Sequence, residues 1–415
     1  MGSRVSRLAG AGLAALLAVG VSACGESAAA RISVSPRTSL IDQPLRIVVT
    51  GLRPRARVLL RASTRDRSGA PFVSEMQVVA DSRGRVRLRG DRAMQLVWSL
   101  HPLHVAAWRY YSYHAPLGSM RVTLQAAGPS ATVTRNLRAA GIRVTNVRPA
   151  QSGFYGDFFA PPAGFRGRRP AILDFGGSEG GLSTSESAAL YASEGYPTLA
   201  LAYFREPGLP RNLVRIPLEY FARALRWLAV QPDVDRGKIV VKGVSRGSEA
   251  AQLLGIHYPN LVHAVIALVP SNGAVCGIRP VAPGTQDYRC AGPAWTFRGN
   301  PVPYFDNPTL GANPHPFPDE RINGPVFLLC AGHDNIWPSC PMSQRIVSRL
   351  RAHHFRHSVT FLDYPDAGHG LGSLIPYYPG PDPANLAGAA RQANQIARAD
   401  AWPKLNSFLR TIRNG

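Results

Sequence analysis

The sequence predicts two layers of different class in one chain: an N-terminal antiparallel β-sandwich, then a mostly parallel α/β sheet with helices on both faces. Short alternating apolar and polar runs, separated by Gly- and Asp-rich turns, fill residues 28–150. From residue 151 the pattern changes to buried-type strands alternating with helical stretches. In that C-terminal region a strand ends in Gly243-Val-Ser245-Arg-Gly247, and two later strands run into loops that carry an acid and a histidine.

In the N-terminal region the alternating runs are 46–50, 58–62, 75–79, 85–89, 120–125 and 142–146. Asp66-Arg-Ser-Gly69 and Asp81-Ser-Arg-Gly84 are turn signals between them. Nothing in this region has catalytic patterning. In the C-terminal region, 198–202 and 264–269 read as buried strands. Residues 218–230 read as a helix that places Leu218, Phe221, Leu225 and Leu228 on one face.

The strand, turn and helix around Ser245 match the nucleophile elbow of an α/β-hydrolase. The sharp turn strains the serine, so the positions two residues either side must lack bulk, which glycine provides. The helix that starts there aims free N–H groups at the place where an oxyanion would form. Downstream, 324–334 reads as a strand running into a loop with Asp334, and 359–369 as a strand running into a loop with His369. The order Ser, Asp, His, each at a strand end, is the order this fold uses. Ser245 is the expected nucleophile, His369 its general base, and Asp334 the group that orients the imidazole.

Gly176-Gly-Ser178-Glu-Gly180 also fits Gly-x-Ser-x-Gly, but it precedes the elbow by two βα units. It stands where the fold places its Gly-rich oxyanion loop. The expected donors are Gly177 and Ser178, completed by the N–H of Arg246; an ordinary glycine turn is the plainer alternative.

The chain has 415 residues and a formal net charge of +22, nearly all from arginine, since its only lysines are Lys238, Lys242 and Lys404. No basic run with interleaved aromatics accompanies the charge, so nucleic acid is not an expected partner. A dispersed surface charge favours anionic neighbours such as phospholipid, although a genome biased to arginine gives the same composition.

Residues 1–24 read as a targeting segment. Arg4 and Arg7 precede an apolar stretch, 8–21, that is short for a membrane span, and Val21-Ser-Ala-Cys24-Gly25 follows. This is similar to a bacterial lipobox, in which Cys24 is the lipidated first residue of the mature protein. An ordinary cleaved signal peptide is the alternative, and either way the chain is expected to be exported. The remaining cysteines, Cys276, Cys290, Cys330 and Cys340, suggest two disulfides paired locally as Cys276–Cys290 and Cys330–Cys340. No Cys-x-x-Cys spacing supports zinc, and neither a metal nor a cofactor is expected. Residues 271–323 read as an irregular insertion over the strand ends. Its aromatics Trp295, Phe297, Tyr304 and Phe305 either line an acyl pocket or belong to a passive surface insertion.

With these motifs in place the chain resembles the acyl-CoA thioesterase / bile-acid-CoA:amino-acid N-acyltransferase family. The residues that carry the resemblance are 45–52 and 58–63 in the sandwich, 174–181 at the oxyanion loop, 199–203 and the elbow. Further ones are 322–325, Asp334 through Trp337-Pro-Ser339, Ala367-Gly-His369 and Ala399-Asp-Ala-Trp402. The resemblance implies a β-sandwich followed by an α/β-hydrolase domain. It also implies a Ser/Cys-His-Asp triad acting on acyl thioesters, which falls on Ser245, Asp334 and His369. Family members that transfer acyl groups to an amino acid have cysteine as nucleophile, whereas serine suits hydrolysis by water. The leading expectation is therefore a serine hydrolase of acyl thioesters. An exported carboxylesterase or lipid acyltransferase acting on oxygen esters is the second, and a lipid-anchored binding protein the third.

Overall fold

A computed structural model describes residues 29–104, 110–111, 113, 118–165, 167–282, 288–306, 313, 315–380, 382–383 and 388–414. The leader and Cys24, and with them the lipobox expectation, lie outside the described residues.

The N-terminal layer consists of two sheets. One is three-stranded, with Arg46–Thr50 between Arg31–Ser35 and Val86–Leu88. The other runs Thr38–Leu40, Ser130–Asn136, Ser119–Ala126, Arg57–Arg65, Pro71–Val79, His101–Pro102. Sequence alternation sets the faces: along Arg57–Arg65, Val58, Leu60, Ala62 and Thr64 are buried while the residues between them are exposed. Both expected turns form, with Asp66 Oδ1 accepting the Ser68 N–H at 2.9 Å and Asp81 Oδ1 accepting the Arg83 N–H at 2.9 Å.

Three features differ from expectation. The larger sheet is mixed, because Thr38–Leu40 runs parallel to Ser130–Asn136. A helix, α1 (Gly90–Trp98), interrupts the β region; it buries Ala93, Met94, Val97 and Trp98, a helical spacing rather than an alternation. The run at 142–146 leaves the sandwich altogether and begins the next sheet, where it pairs antiparallel with the strand at 155–160.

That next sheet has eight strands, numbered β1 (Arg143–Val147), β2 (Tyr155–Ala160), β3 (Arg169–Phe175), β4 (Thr198–Ala202), β5 (Val234–Val244), β6 (Ala264–Leu268), β7 (Val326–Ala331) and β8 (Val359–Tyr364). Their spatial order is β1-β2-β4-β3-β5-β6-β7-β8. The first two enter antiparallel and the other six are mutually parallel. This is the strand order of an α/β-hydrolase. The helices are α2 (Ser185–Ser193), α3 (Leu218–Ala229), α4 (Arg246–His257), α5 (Ser339–Ala352) and α6 (Gly388–Asn414).

Alternate side chains of the central strands feed two cores. Ile172, Val240, Ile266 and Phe327 meet Leu405, Phe408 and Leu409 of α6 on one face. Leu173, Val241, Val265 and Leu328 meet α3, α4 and α5 on the other. The first of these cores continues without a break into the N-terminal sheets, through Val49, Leu60 and Met120. Parallel strands joined by helices bring their carboxyl ends to one edge, so the loops after β3, β5, β7 and β8 converge there.

The insertion is more ordered than expected. Ala274–Pro280 pairs with Tyr288–Pro293 and Tyr304–Phe305, and Trp295–Phe297 with Ile216–Pro217 and Asn300–Pro301. Its aromatics are largely structural: Trp295 is 0% exposed, packed on Tyr203 and Phe221, and Phe297 stacks on His257 with centroids 4.0 Å apart. Phe305 packs with Val275, Trp337 and Met342.

Candidate active site

Ser245 follows β5 with φ 55° and ψ −121°, a conformation costly for a residue with a side chain. The flanking glycines are sterically required. A Cβ on Gly243 would come within 2.1 Å of the Gly247 carbonyl oxygen, and one on Gly247 within 2.3 Å of the Gly176 carbonyl oxygen. The strain lifts the Ser245 side chain out of the turn toward the loops after β7 and β8.

There His369 Nε2 lies 2.9 Å from Ser245 Oγ, and His369 Nδ1 lies 2.8 Å and 2.9 Å from the two carboxylate oxygens of Asp334. All three residues picked from the sequence therefore form one hydrogen-bonded chain. The Asp334 side chain is 1% exposed, and its Oδ1 also accepts the N–H groups of Ile336 and Trp337. Those bonds fix the carboxylate that fixes the imidazole. The Trp337 ring stands edge-on to His369 at 5.6 Å and donates its indole N–H to the Val269 carbonyl. Behind the histidine, Asn394 Oδ1 accepts the Gly368 N–H at 2.6 Å. Such an arrangement can take a proton from Oγ and return it to a leaving group.

The oxyanion loop sits over the nucleophile. A Cβ on Gly177 would lie 2.9 Å from Ser245 Cβ, so Gly177 admits no larger residue. The Tyr203 hydroxyl, held protonated by burial, lies 2.9 Å from the carbonyl oxygens of both Gly176 and Gly177 and braces the loop from beneath. Ser178 is half-buried. Arg246 opens α4, where the N–H has no intrahelical partner. The Gly177 N–H, however, donates to Glu179 Oε1 at 2.8 Å. The sequence reading did not single out Glu179.

It also missed two buried ion pairs. Lys242 Nζ lies 2.7 Å from Asp174 Oδ1, with both side chains at most 1% exposed, and Ser187 Oγ donates to the other carboxylate oxygen. This pair ties β5, which ends at the elbow, to β3, which ends at the oxyanion loop. Arg246 pairs with Glu249 at 3.0 Å, and Glu249 accepts the Trp295 indole N–H at 2.7 Å. A signal was present in the first pair: a charge inside an apolar run, as in Ile239-Val-Val-Lys242 and Ile172-Leu-Asp174, needs a buried partner.

Of the two expected disulfides, Cys330 and Cys340 stand at bonding distance, with sulfurs 2.04 Å apart, and brace the start of α5 beside the Asp334 loop. The Cys276–Cys290 bridge is absent, and both are free thiols. The register shifts between Cys276 and Ile278 and sets the Cys290 backbone opposite Ile278, while the two sulfurs stay close without bonding. Cys276 Sγ contacts the Asp306 carbonyl at 3.7 Å, Cys290 Sγ contacts Asp306 Oδ1 at 3.3 Å, and burial pushes the Cys276 thiol up to about 12. Cys276, Cys290 and Asp306 hold their donor atoms within 4.8 Å of one another, as do Cys330, Cys340 and Asp363. The first set offers three ligands, one short of a closed tetrahedral zinc site, and in the second the disulfide leaves Cys330 and Cys340 no thiolate to offer.

Residues 42–149 match the model of the acyl-CoA thioester hydrolase/BAAT N-terminal region, and residues 216–284 and 301–413 that of the BAAT/acyl-CoA thioester hydrolase C-terminal region. The chain belongs to this family. Membership makes it a hydrolase-type enzyme, which sets the binding-protein reading aside. The gap in the match, 285–300, holds Cys290 and Trp295, so the segment that docks on Glu249 is outside the family pattern. The chain is 30% identical over 425 residues to peroxisomal succinyl-coenzyme A thioesterase of Mus musculus, covering 92% of this chain and 96% of that one. It is 29% identical over 438 residues to acyl-coenzyme A thioesterase 6 of Mus musculus, covering 93% and 98%. It is also 29% identical over 406 residues to the mitochondrial acyl-coenzyme A thioesterase 2 of Homo sapiens, covering 88% and 81%. A solved alpha/beta hydrolase from a deep-sea metagenome library is 18% identical with a TM-score of 0.43, spanning 67% of this chain and 100% of that one. The overlay is too loose to add to the strand order.

Proposed function

We propose that the chain hydrolyses acyl thioesters through an acyl-enzyme on Ser245. As Ser245 Oγ attacks the carbonyl carbon, His369 Nε2 takes its proton and Asp334 stabilises the imidazolium. The oxyanion is received by the Arg246 N–H and by the oxyanion loop. Collapse breaks the C–S bond, and the departing thiolate takes the proton from Nε2. Water then attacks the ester with His369 as base, releasing the carboxylic acid and restoring Ser245. The observation that supports this most is the continuous Ser245–His369–Asp334 hydrogen-bond chain at a strained elbow.

A second reading keeps the triad and changes the substrate to oxygen esters of envelope lipids, hydrolysed or transferred. The targeting stretch favours it, since an exported enzyme meets lipid esters more than coenzyme A. We place the mature protein outside the cytoplasmic membrane of a bacterium, anchored by acylated Cys24. An intact mass without acyl chains on Cys24 overturns the anchor, and recovery of the chain with its leader uncleaved overturns the export.

The deciding experiment compares kcat/KM of the full chain on an acyl-CoA and on an oxygen ester of the same chain length, with Ser245→Ala as blank. Preference for the acyl-CoA is the expected result. Preference for the ester selects the second reading, and no rate above the blank on either substrate rejects both.

A further inference from the structure

The geometry points to Glu179 as a gate on the oxyanion site: at rest its carboxylate occupies the donor that the developing oxyanion needs. This deepens the serine-hydrolase reading above and rests on it. Glu179 Oε1 accepts the Gly177 N–H at 2.8 Å and the Ser183 hydroxyl at 2.7 Å. Its Oε2 lies 3.2 Å from the point a Gly177 Cβ would occupy, and that point is 2.9 Å from Ser245 Cβ. The carboxylate and the nucleophile thus flank the same glycine. An anionic oxygen seated on that N–H plays the role the tetrahedral intermediate's oxygen would play, and the two cannot occupy the donor together.

The same surroundings let the gate open. Glu179 is solvent-exposed, and among the described residues no arginine or lysine forms an ion pair with its carboxylate. Arg205, the nearest cation in the hydrogen-bond pattern, donates to the Glu179 backbone carbonyl, at 3.1 Å, and so pins the main chain while leaving the side chain to rotate. Tyr203 donates its hydroxyl toward the Gly176 and Gly177 carbonyls independently of Glu179, so the loop keeps its shape when the carboxylate leaves. In the open state the side chain points to water and the Gly177 N–H faces the substrate carbonyl. The closed population lowers apparent affinity for substrate and for anionic adducts by the open fraction. A carboxylate lingering near the site opposes a second negative charge forming beside it.

The test uses the full chain as wild type, Glu179→Ala, Glu179→Gln and Ser245→Ala. The probes are an alkyl boronic acid, which forms an anionic tetrahedral adduct on the serine, and whichever ester or thioester the wild type hydrolyses. A gate predicts that Glu179→Ala binds the boronic acid about tenfold tighter or more and raises kcat/KM several-fold. Glu179→Gln, which can still accept the N–H but lacks the charge, falls between. The proposal is overturned if Glu179→Ala binds the boronic acid no better than wild type while Glu179→Gln matches wild type, because the residue then only shapes the loop. A wild type no faster than Ser245→Ala removes the hydrolase reading itself, whereas an active wild type whose boronic-acid affinity is unchanged in Glu179→Ala removes the gate alone.

Discussion

Glu249 sits one turn into the elbow helix with no solvent contact, beside Arg246 and under the Trp295 indole. Burial raises its carboxyl from 4.5 to about 7, against the lowering effect of Arg246, Trp295 and the Val275 N–H. The sign follows from proton counting. Between those two values the folded chain holds a proton that the unfolded chain has released, so this residue makes stability fall as pH rises through the window and leaves it flat above. A shift of that size corresponds to on the order of 3 kcal/mol. Glu249→Gln keeps an acceptor for Trp295 and cannot ionise. Relative to wild type it is expected to gain on the order of 3 kcal/mol between about pH 4.5 and about pH 8, measured by denaturant unfolding at both ends. Taking the difference cancels Glu194, whose carboxyl burial also raises to about 7. A difference that stays flat with pH would show that Arg246 keeps Glu249 ionised throughout.

At the scale of elements, legibility in the sequence follows the strength of the local constraint. The elbow could be read because its steric demands permit only glycine at two positions, with contacts of 2.1 Å and 2.3 Å awaiting any Cβ. The strand leading to Asp334 could be read because a strand buried on both faces has no polar alternation to blur it. Helix α1 escaped because nine residues between strands hold only about two and a half turns of helical period. The Cys276–Cys290 pair is legible in part: spacing reports proximity and the two sulfurs do approach one another, but a register shift sets the Cys290 backbone opposite Ile278 and the thiols stay unbonded. Glu179 escaped for a different reason: its bond to the Gly177 N–H runs from side chain to backbone over two residues, and nothing in a glycine-rich loop announces such a bond before the loop's shape is known.

The whole molecule is joined across its N-terminal sheets and its catalytic sheet by one apolar seam. Trp98 of α1 stacks on Tyr377 with centroids 5.7 Å apart, Tyr378 donates its hydroxyl to the Tyr113 carbonyl at 2.7 Å, and the Trp402 indole of α6 reaches Asp42 at 3.3 Å. Tyr377 and Tyr378 follow shortly after His369, and α6 supplies Asn394 behind it, so the seam and the triad share a support. Separating the two layers would expose that seam to water at roughly 25 cal/mol for each Å² of apolar surface, which disfavours a state with only a single layer folded. The chain is therefore expected to unfold in a single cooperative transition despite its length. Intrinsic fluorescence, far-ultraviolet circular dichroism and loss of hydrolysis should share one midpoint in denaturant. Early loss of activity with the fluorescence change still to come would place the weak point at the triad loops, and two separated structural transitions would mean that the seam does not couple the layers.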